Sequence, residues 1–198
     1  MTKVASIVEG DGEVVALPVL LRRLADWRGP ADYVDVLTPI RVYKDRFLNR
    51  PTEFSRHLQL AAAKCGDVGW ILILFDADDD CPAEKGATVL AQAKAIIPHR
   101  RIAVVFANRE YETWFIAAAE SLNGCRGFQC DAQDVRADPE VPRNAKGWVR
   151  DHMPAGYGET TDQPAFSQRF DMDLAHKRSR SFRKLCSDWD KNALNALA

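Results

Sequence analysis

The 198 residues suit a single domain. At 46% hydrophobic and 28% charged they have the balance of a soluble globular chain that buries a core without disulfides. The formal net charge of −1 excludes a whole-molecule basic field for nucleic acid, so any such contact must come from a local patch or from a partner. No purely apolar run is longer than that from Trp70 to Phe75, far too short to span a bilayer. The opening MTKVASIVEG reaches a glutamate before a signal-peptide core can develop, so a cytoplasmic protein with no membrane association is expected. The five cysteines are odd in number, contain no CxxC, and do not pair with the four histidines at zinc-finger spacing. Reduced thiols are the expectation.

In chain order, Val4–Val8 reads as a strand ending at Glu9-Gly10, and Val14–Trp27 as a buried helix with Pro18 in its first turns. Tyr33–Leu37 is a second strand. Pro51 starts a helix through Lys64. Trp70–Phe75 (WILILF) is apolar on both faces, as a parallel strand covered on both sides should be. A helix from Pro82 to Ile97, a strand Arg101–Phe106 and a helix Tyr111–Leu122 follow. Strands alternating with helices at these intervals predict an α/β fold: a mainly parallel, Rossmann-like sheet flanked by helices. From Asn123 to Phe170 no period persists, which predicts an irregular cap; a terminal helix is expected over Ser181–Leu197. The division is therefore a core over 1–122 and a cap with a helical extension over 123–198, packed on that core.

Acidic groups follow three of these strands: Glu9, Asp11 and Glu13 in EGDGE, Asp76, Asp78, Asp79 and Asp80 in DADDD, and Glu110 with Glu112. In an open parallel sheet all strand C-termini share one edge, so acids remote in sequence converge there. Converged carboxylates repel and are costly to desolvate. A hard divalent cation answers both problems, and oxygen-only ligands favour Mg²⁺, Mn²⁺ or Ca²⁺ over zinc. Two such ions about 4 Å apart would clamp an in-line phosphoryl displacement. Gly10 and Gly12 clear side chains from where a phosphate or metal must approach the backbone. Asp76 and Asp78 share a side if the backbone stays extended. Taken singly, each cluster is also what a solvated turn before a helix looks like.

The spacing of Glu9-Gly10-Asp11-Gly12-Glu13 and Asp76-Ala77-Asp78 resembles the Toprim domain of topoisomerases, primases and overcoming-lysogenization-defect nucleases, over about residues 3–120. Across most of the chain, the opening VEGDGE, Glu110-Tyr111-Glu112-Thr113-Trp114-Phe115, Asp162-Gln163-Pro164 with Phe166, and Ser179–Leu185 look like the bacterial family DUF4276. That family is Toprim-like and is linked with defence-type ATPases. The resemblance implies Mg²⁺ or Mn²⁺, one ion or two, held by Glu9, Glu13, Asp76 and Asp78. It makes Glu9 the principal acid at the reacting centre, with Glu13 assisting, and Glu112 a further acid or an orienter of ligands. It implies nucleic acid as substrate and an AAA- or ABC-type ATPase as partner, and leaves a homo-oligomer open.

Nuclease chemistry also needs a cation near the transition-state charge. Lys177 is the first candidate, with Lys184, Arg180 and Lys146 behind it. The run from His176 to Lys184 holds Lys177, Arg178, Arg180, Arg183 and Lys184 with no acid, and would grip a phosphate backbone or form a solvated helix start. Gln163 and Ser181 have no derivable role. Trp114 and Phe115 are expected in the core. The leading expectation is a metal-dependent nuclease acting in ATPase-linked anti-phage defence. Its rival is a non-catalytic module that docks on the ATPase. A DxD phosphotransfer enzyme ranks third, since it gives Glu9 and Glu13 no task. No GxxxxGK[ST] is present, so P-loop ATP hydrolysis is excluded.

Overall fold

The apolar runs become the strands of one parallel sheet. The computed structural model describes residues 2–29 and 34–194. Thr2–Val8 (β1), Val34–Val36 (β2), Ile40–Arg41 (β3), Trp70–Asp76 (β4) and Arg101–Ala107 (β5) pair in the order β2-β1-β4-β5, and β3 also pairs with β1. Every pairing is parallel. β4 lies along Val4–Ile7 of β1, so β2 (along Thr2–Val4) and β3 (along Ile7 and Val8) share the opposite flank. Tyr33 of the expected second strand lies outside the described residues.

Asp11–Arg28 (α1) takes the chain from β1 to β2. Lys44–Asn49 (α2) and Pro51–Cys65 (α3) bring it back past β1 to β4. The direction of travel thus reverses between β1 and β4, and ligands of open parallel sheets sit in the crevice at such a switch point. Glu9 and Asp76 stand at the C-terminal ends of these two strands.

Alternate side chains feed two cores, which is why WILILF is apolar throughout. Trp70, Leu72 and Leu74 join Leu17, Leu20 and Leu24 of α1 on one face. Ile71, Ile73 and Phe75 join Leu58 and Ala61 of α3 on the other, with Val89 and Ala93 of Pro82–Ile96 (α4). Pro51 and Pro82 open their helices, where the missing N–H costs nothing. α1 begins at Asp11, earlier than expected, because extended Gly10 caps it; Pro18 therefore sits inside the helix and leaves the Val14 carbonyl without its usual donor.

The expected helix Tyr111–Leu122 is two, Thr113–Ala117 (α5) and Ala119–Leu122 (α6), divided at Ala118 (φ −118°, ψ 22°). Side chains meet the carbonyls at the break: Arg178 donates to Ala117 O at 3.2 Å and the Ser121 hydroxyl to Ala118 O at 2.6 Å. The stretch read as irregular holds short helices, Ala132–Arg136 (α7), Ala145–Asp151 (α8) and Asp162–Ser167 (α9), and Met172–Arg178 (α10) follows it. At five to seven residues each they are too short to show a period. Arg180–Trp189 (α11) and a π-helical turn over Asp190–Leu194 end the described chain, and residues 195–197 of the expected terminal helix lie outside it.

These helices pack on the α1 face. Phe115 meets Phe166 and Phe170 edge-on, and Trp114 meets Phe182, each such pair adding about 0.5–1.5 kcal/mol to the area it buries. Trp114 and Phe115 are core residues, as expected. All five thiols are free. Among the described residues no helix is long and apolar enough to cross a membrane.

Candidate functional site

Residues 70, 72 and 74 of β4 face the α1 side, so the next in phase, Asp76, points the same way. Its Oδ1 accepts the Tyr111 backbone N–H at 2.8 Å. Tyr111 is held in turn by its hydroxyl on Ser167 Oγ at 2.9 Å. Burial pushes the Asp76 carboxyl well above its usual range, and the charges of Glu112 and Glu13 push it further; the Tyr111 N–H opposes them.

Glu112 caps the start of α5 and is completely buried. Its Oε1 accepts from the Tyr157 hydroxyl at 2.9 Å and from Gln163 Nε2 at 3.3 Å. The same Gln163 amide reaches Glu13 Oε1 at 3.4 Å, so α9 ties the first acidic motif to the third. Burial raises Glu112 to about 7, against the lowering effect of the Lys146 charge and the Tyr157 hydrogen bond. Glu13 Oε2, Glu112 Oε2 and Gln163 Oε1 are buried and have no hydrogen-bond partner among the described residues. Such orphans each cost about 1–3 kcal/mol, more when charged.

The glycines of EGDGE now have their reason. A Cβ on Gly10 would stand 2.3 Å from Glu13 Oε2, and one on Gly12 would stand 2.2 Å from Gln163 Oε1. Gly10 lets Glu13 fold back over the sheet edge, and Gly12 lets Gln163 enter between Glu13 and Glu112.

Asp78 does not continue the extended backbone. It turns into the left-handed region (φ 51°), and its side chain leaves the Asp76 side for solvent, 66% exposed. There it meets Lys44, whose Nζ is 2.5 Å from Asp78 Oδ2, 3.0 Å from the Asp76 carbonyl oxygen and 3.7 Å from Glu9 Oε2. Burial pulls the Lys44 ammonium down, but the Asp78 hydrogen bond and the charges of Asp78, Glu9 and Asp76 outweigh it and hold it above the ordinary lysine value. Glu9 is 47% exposed at the rim. Asp11 pairs with Arg41, Asp79 with Arg109 and Arg143, and Asp80 with Lys85, all on the exposed side.

Between these groups lies a pocket of about 230 Å³, lined by Glu9, Gly10, Glu13, Asp76, Lys146 and Glu159 with the ends of β4. Lys146 Nζ pairs with Glu159 at 3.2 Å. Its backbone N–H, in the first turn of α8, is accepted by Glu110 Oε2 at 2.7 Å, so Glu110 positions the lysine rather than facing the pocket. Burial lowers Lys146, but the charges of Glu112 and Asp76 and the contact with Glu159 raise it overall.

The expected ligand set is therefore divided. Glu9 and Asp78 share a resident ammonium, whereas Glu13 and Asp76 are grouped with Glu112. Among the described residues no three His, Cys, Asp or Glu side chains already close on a single point. The donor chemistry nonetheless suits a hard cation: oxygen-only, from the carboxyl groups of Glu13, Asp76 and Glu112, with one oxygen of Glu13 and one of Glu112 without a partner among the described residues.

The basic run lies elsewhere, outside this pocket's lining. Arg178 donates to the carbonyls of Ala117 and Ala137, Arg180 pairs with Glu140 at 2.9 Å, Arg183 holds the carbonyls of His176 and Lys177, and Lys184 pairs with Asp188. Lys177 is exposed. Of the four cation candidates, Lys146 is the one in the pocket. Ser181 clamps α11 to the sheet edge, accepting Trp114 Nε1–H at 2.9 Å and the Asn108 N–H at 3.1 Å.

Sequence reasoning missed Lys44, Tyr157 and Glu159, and left Gln163 without a role. Lys44 follows a two-residue strand with no period to reveal it. The other three sit in the aperiodic stretch, where the Asp162-Gln163-Pro164 signature was the available signal. Neither the curated proteins nor the solved structures contain a match to the chain. A family model matches residues 8–188, nearly the whole span that builds this site, and the chain belongs to that family, DUF4276, a domain of unknown function.

Proposed function

We propose that this chain is a Mg²⁺- or Mn²⁺-dependent nuclease with a Toprim-like core, hydrolysing nucleic-acid phosphodiesters as the effector of an ATPase-linked defence system. One observation carries the reading: Glu13, Asp76 and Glu112 are gathered at the switch point of a parallel sheet, with carboxylate oxygens of Glu13 and Glu112 buried and unpartnered. Each such oxygen costs free energy until a partner arrives, and a cation is a partner that would serve both.

In this reading Glu13, Asp76 and Glu112 hold the ion, and Gln163 and Tyr157 fix the orientation of Glu112 and Glu13. The bound metal would polarise the phosphoryl group and lower the pKa of a water. Glu9, at the open rim, takes the proton of the attacking water. Lys146 faces the pocket and balances charge on the phosphoryl oxygens. Water adds to phosphorus, one P–O ester bond breaks, the departing oxygen takes a proton from solvent to leave as a hydroxyl, and Glu9 returns its proton to solvent.

The test is cleavage of DNA and RNA by the full chain with Mg²⁺ or Mn²⁺, beside Glu9→Gln and Asp76→Asn. Each substitution should reduce cleavage about 100-fold or more, the several kcal/mol that metal-assisted stabilisation supplies. Cleavage that survives both substitutions refutes the reading.

A second reading, docking on the ATPase without chemistry, has one observation in its favour. A largely apolar groove of about 450 Å³ runs between α4, the edge strand β5 and α11. Full biological function in the Asp76→Asn variant would select it.

A further inference from the structure

We propose that Lys44 takes the place of a second divalent cation, so that the site binds one metal ion, on the Glu13–Asp76–Glu112 side. The inference rests on the metal-dependent reading above and specifies its ion count.

Lys44 is built into the site. β3 pairs Ile40 with Ile7 and Arg41 with Val8, and the Val42 N–H donates to Val8 O at 2.9 Å. This short ladder carries the chain alongside the last residues of β1 and delivers Lys44, the first residue of α2, beside Glu9. α2 is anchored by Phe47, whose ring packs against Phe54 at 4.7 Å and Phe75 at 5.5 Å. The lysine side chain is 19% exposed, so its stem is packed and its ammonium has a defined position.

The ammonium has three N–H donors and meets three oxygens: the Asp76 carbonyl, Asp78 Oδ2 and Glu9 Oε2. A metal ion bridging the strand ends would use this same set, two carboxylates and a backbone carbonyl. The left-handed turn at Asp78 is what aims its carboxylate at Lys44 instead of at the Asp76 side. The other acids are different. Glu112 is wholly buried, Oε2 of Glu112 and Oε2 of Glu13 have no partner among the described residues, and Lys146, the lysine that lines the pocket, is paired with Glu159. One half of the acidic cluster has an ammonium in contact with its oxygens; the other half keeps two oxygens open for an ion from solution. A divalent ion placed on Glu9 and Asp78 would meet the ammonium's charge at contact distance, and the two exclude each other.

The test counts ions. The full-length chain is titrated with Mn²⁺ by calorimetry and by equilibrium dialysis, and the loaded protein is examined by electron paramagnetic resonance for coupled Mn²⁺ pairs. The wild type should bind one uncoupled ion. Lys44→Met, which keeps the stem and removes the charge, should bind two, and adding Asp78→Asn should return the count to one. Lys44→Gln repeats the measurement with a second neutral side chain. Two ions in the wild type, or one in both the wild type and the Lys44 variants, would overturn the assignment and leave the metal-dependent reading standing. No ion in the wild type overturns both. The wild-type count needs no variant to fold.

Discussion

Glu112 is buried, raised to about 7, and among the described residues bonded only through Oε1, so its ionisation works against the fold. The sign follows from linkage. The unfolded chain has the ordinary value of 4.5, and the folded carboxyl lies above it. The stability associated with the neutral acid is therefore complete below the unfolded value and is lost as pH rises towards the folded one. Between 4.5 and about 7 the loss amounts to about 3 kcal/mol, at 1.36 kcal/mol per unit. Glu112→Gln fixes the neutral form while keeping an oxygen for Tyr157 and Gln163. Allowing about 1 kcal/mol for an imperfectly placed amide N–H, the metal-free variant should be about 2 kcal/mol more stable than wild type at about pH 8. For a chain of this length that raises Tm by about 4–8 °C. At about pH 5 the advantage should vanish, because the wild-type acid is then protonated. Calorimetric melts with chelator at both pH values measure it. Equal stability at the higher pH, or a gain of the same size at both, would refute the argument that this carboxylate is held in the fold at a cost.

Three further substitutions separate site geometry from stability. Gly12→Ala should improve helix propensity in α1 by about 1 kcal/mol and lose about 1–3 kcal/mol to the contact with Gln163, a net cost of about 0–2 kcal/mol that lowers Tm by up to about 8 °C, while cleavage falls as Gln163 is pushed off Glu13 and Glu112. Retained cleavage in that variant would remove Gln163 from the site. Arg178→Ala frees the carbonyls of Ala117 and Ala137 and should cost about 2 kcal/mol in a thermal melt, whereas Lys177→Ala, exposed on the same helix, should cost under about 0.5 kcal/mol.

What could be read from the sequence and what could not differ for physical reasons. WILILF announced itself because a strand between two cores is apolar at every position, and its C-terminal acid then had a defined edge to stand on. That logic located Glu13, Asp76 and Glu112 before any coordinates. It could not divide the acids between partners, because the division depends on backbone angles and on a lysine delivered by two residues of β3. Asp78 was grouped with Asp76 on the premise of an extended chain; a single positive φ sends the two carboxylates apart. The basic run shows the opposite limit. Five cations without an acid read equally as a nucleic-acid grip or a solvated helix start, and four of the five are engaged here: Arg178 on the carbonyls of Ala117 and Ala137, Arg183 on those of His176 and Lys177, Arg180 on Glu140 and Lys184 on Asp188, while Lys177 is exposed. A charge run says where cations are, and burial and hydrogen bonds say whether they are already engaged. By the same criterion the acids of this site stand out, since for Glu13 and Glu112 the accounting remains open at one buried oxygen each. A hard cation between them would close it at both positions at once.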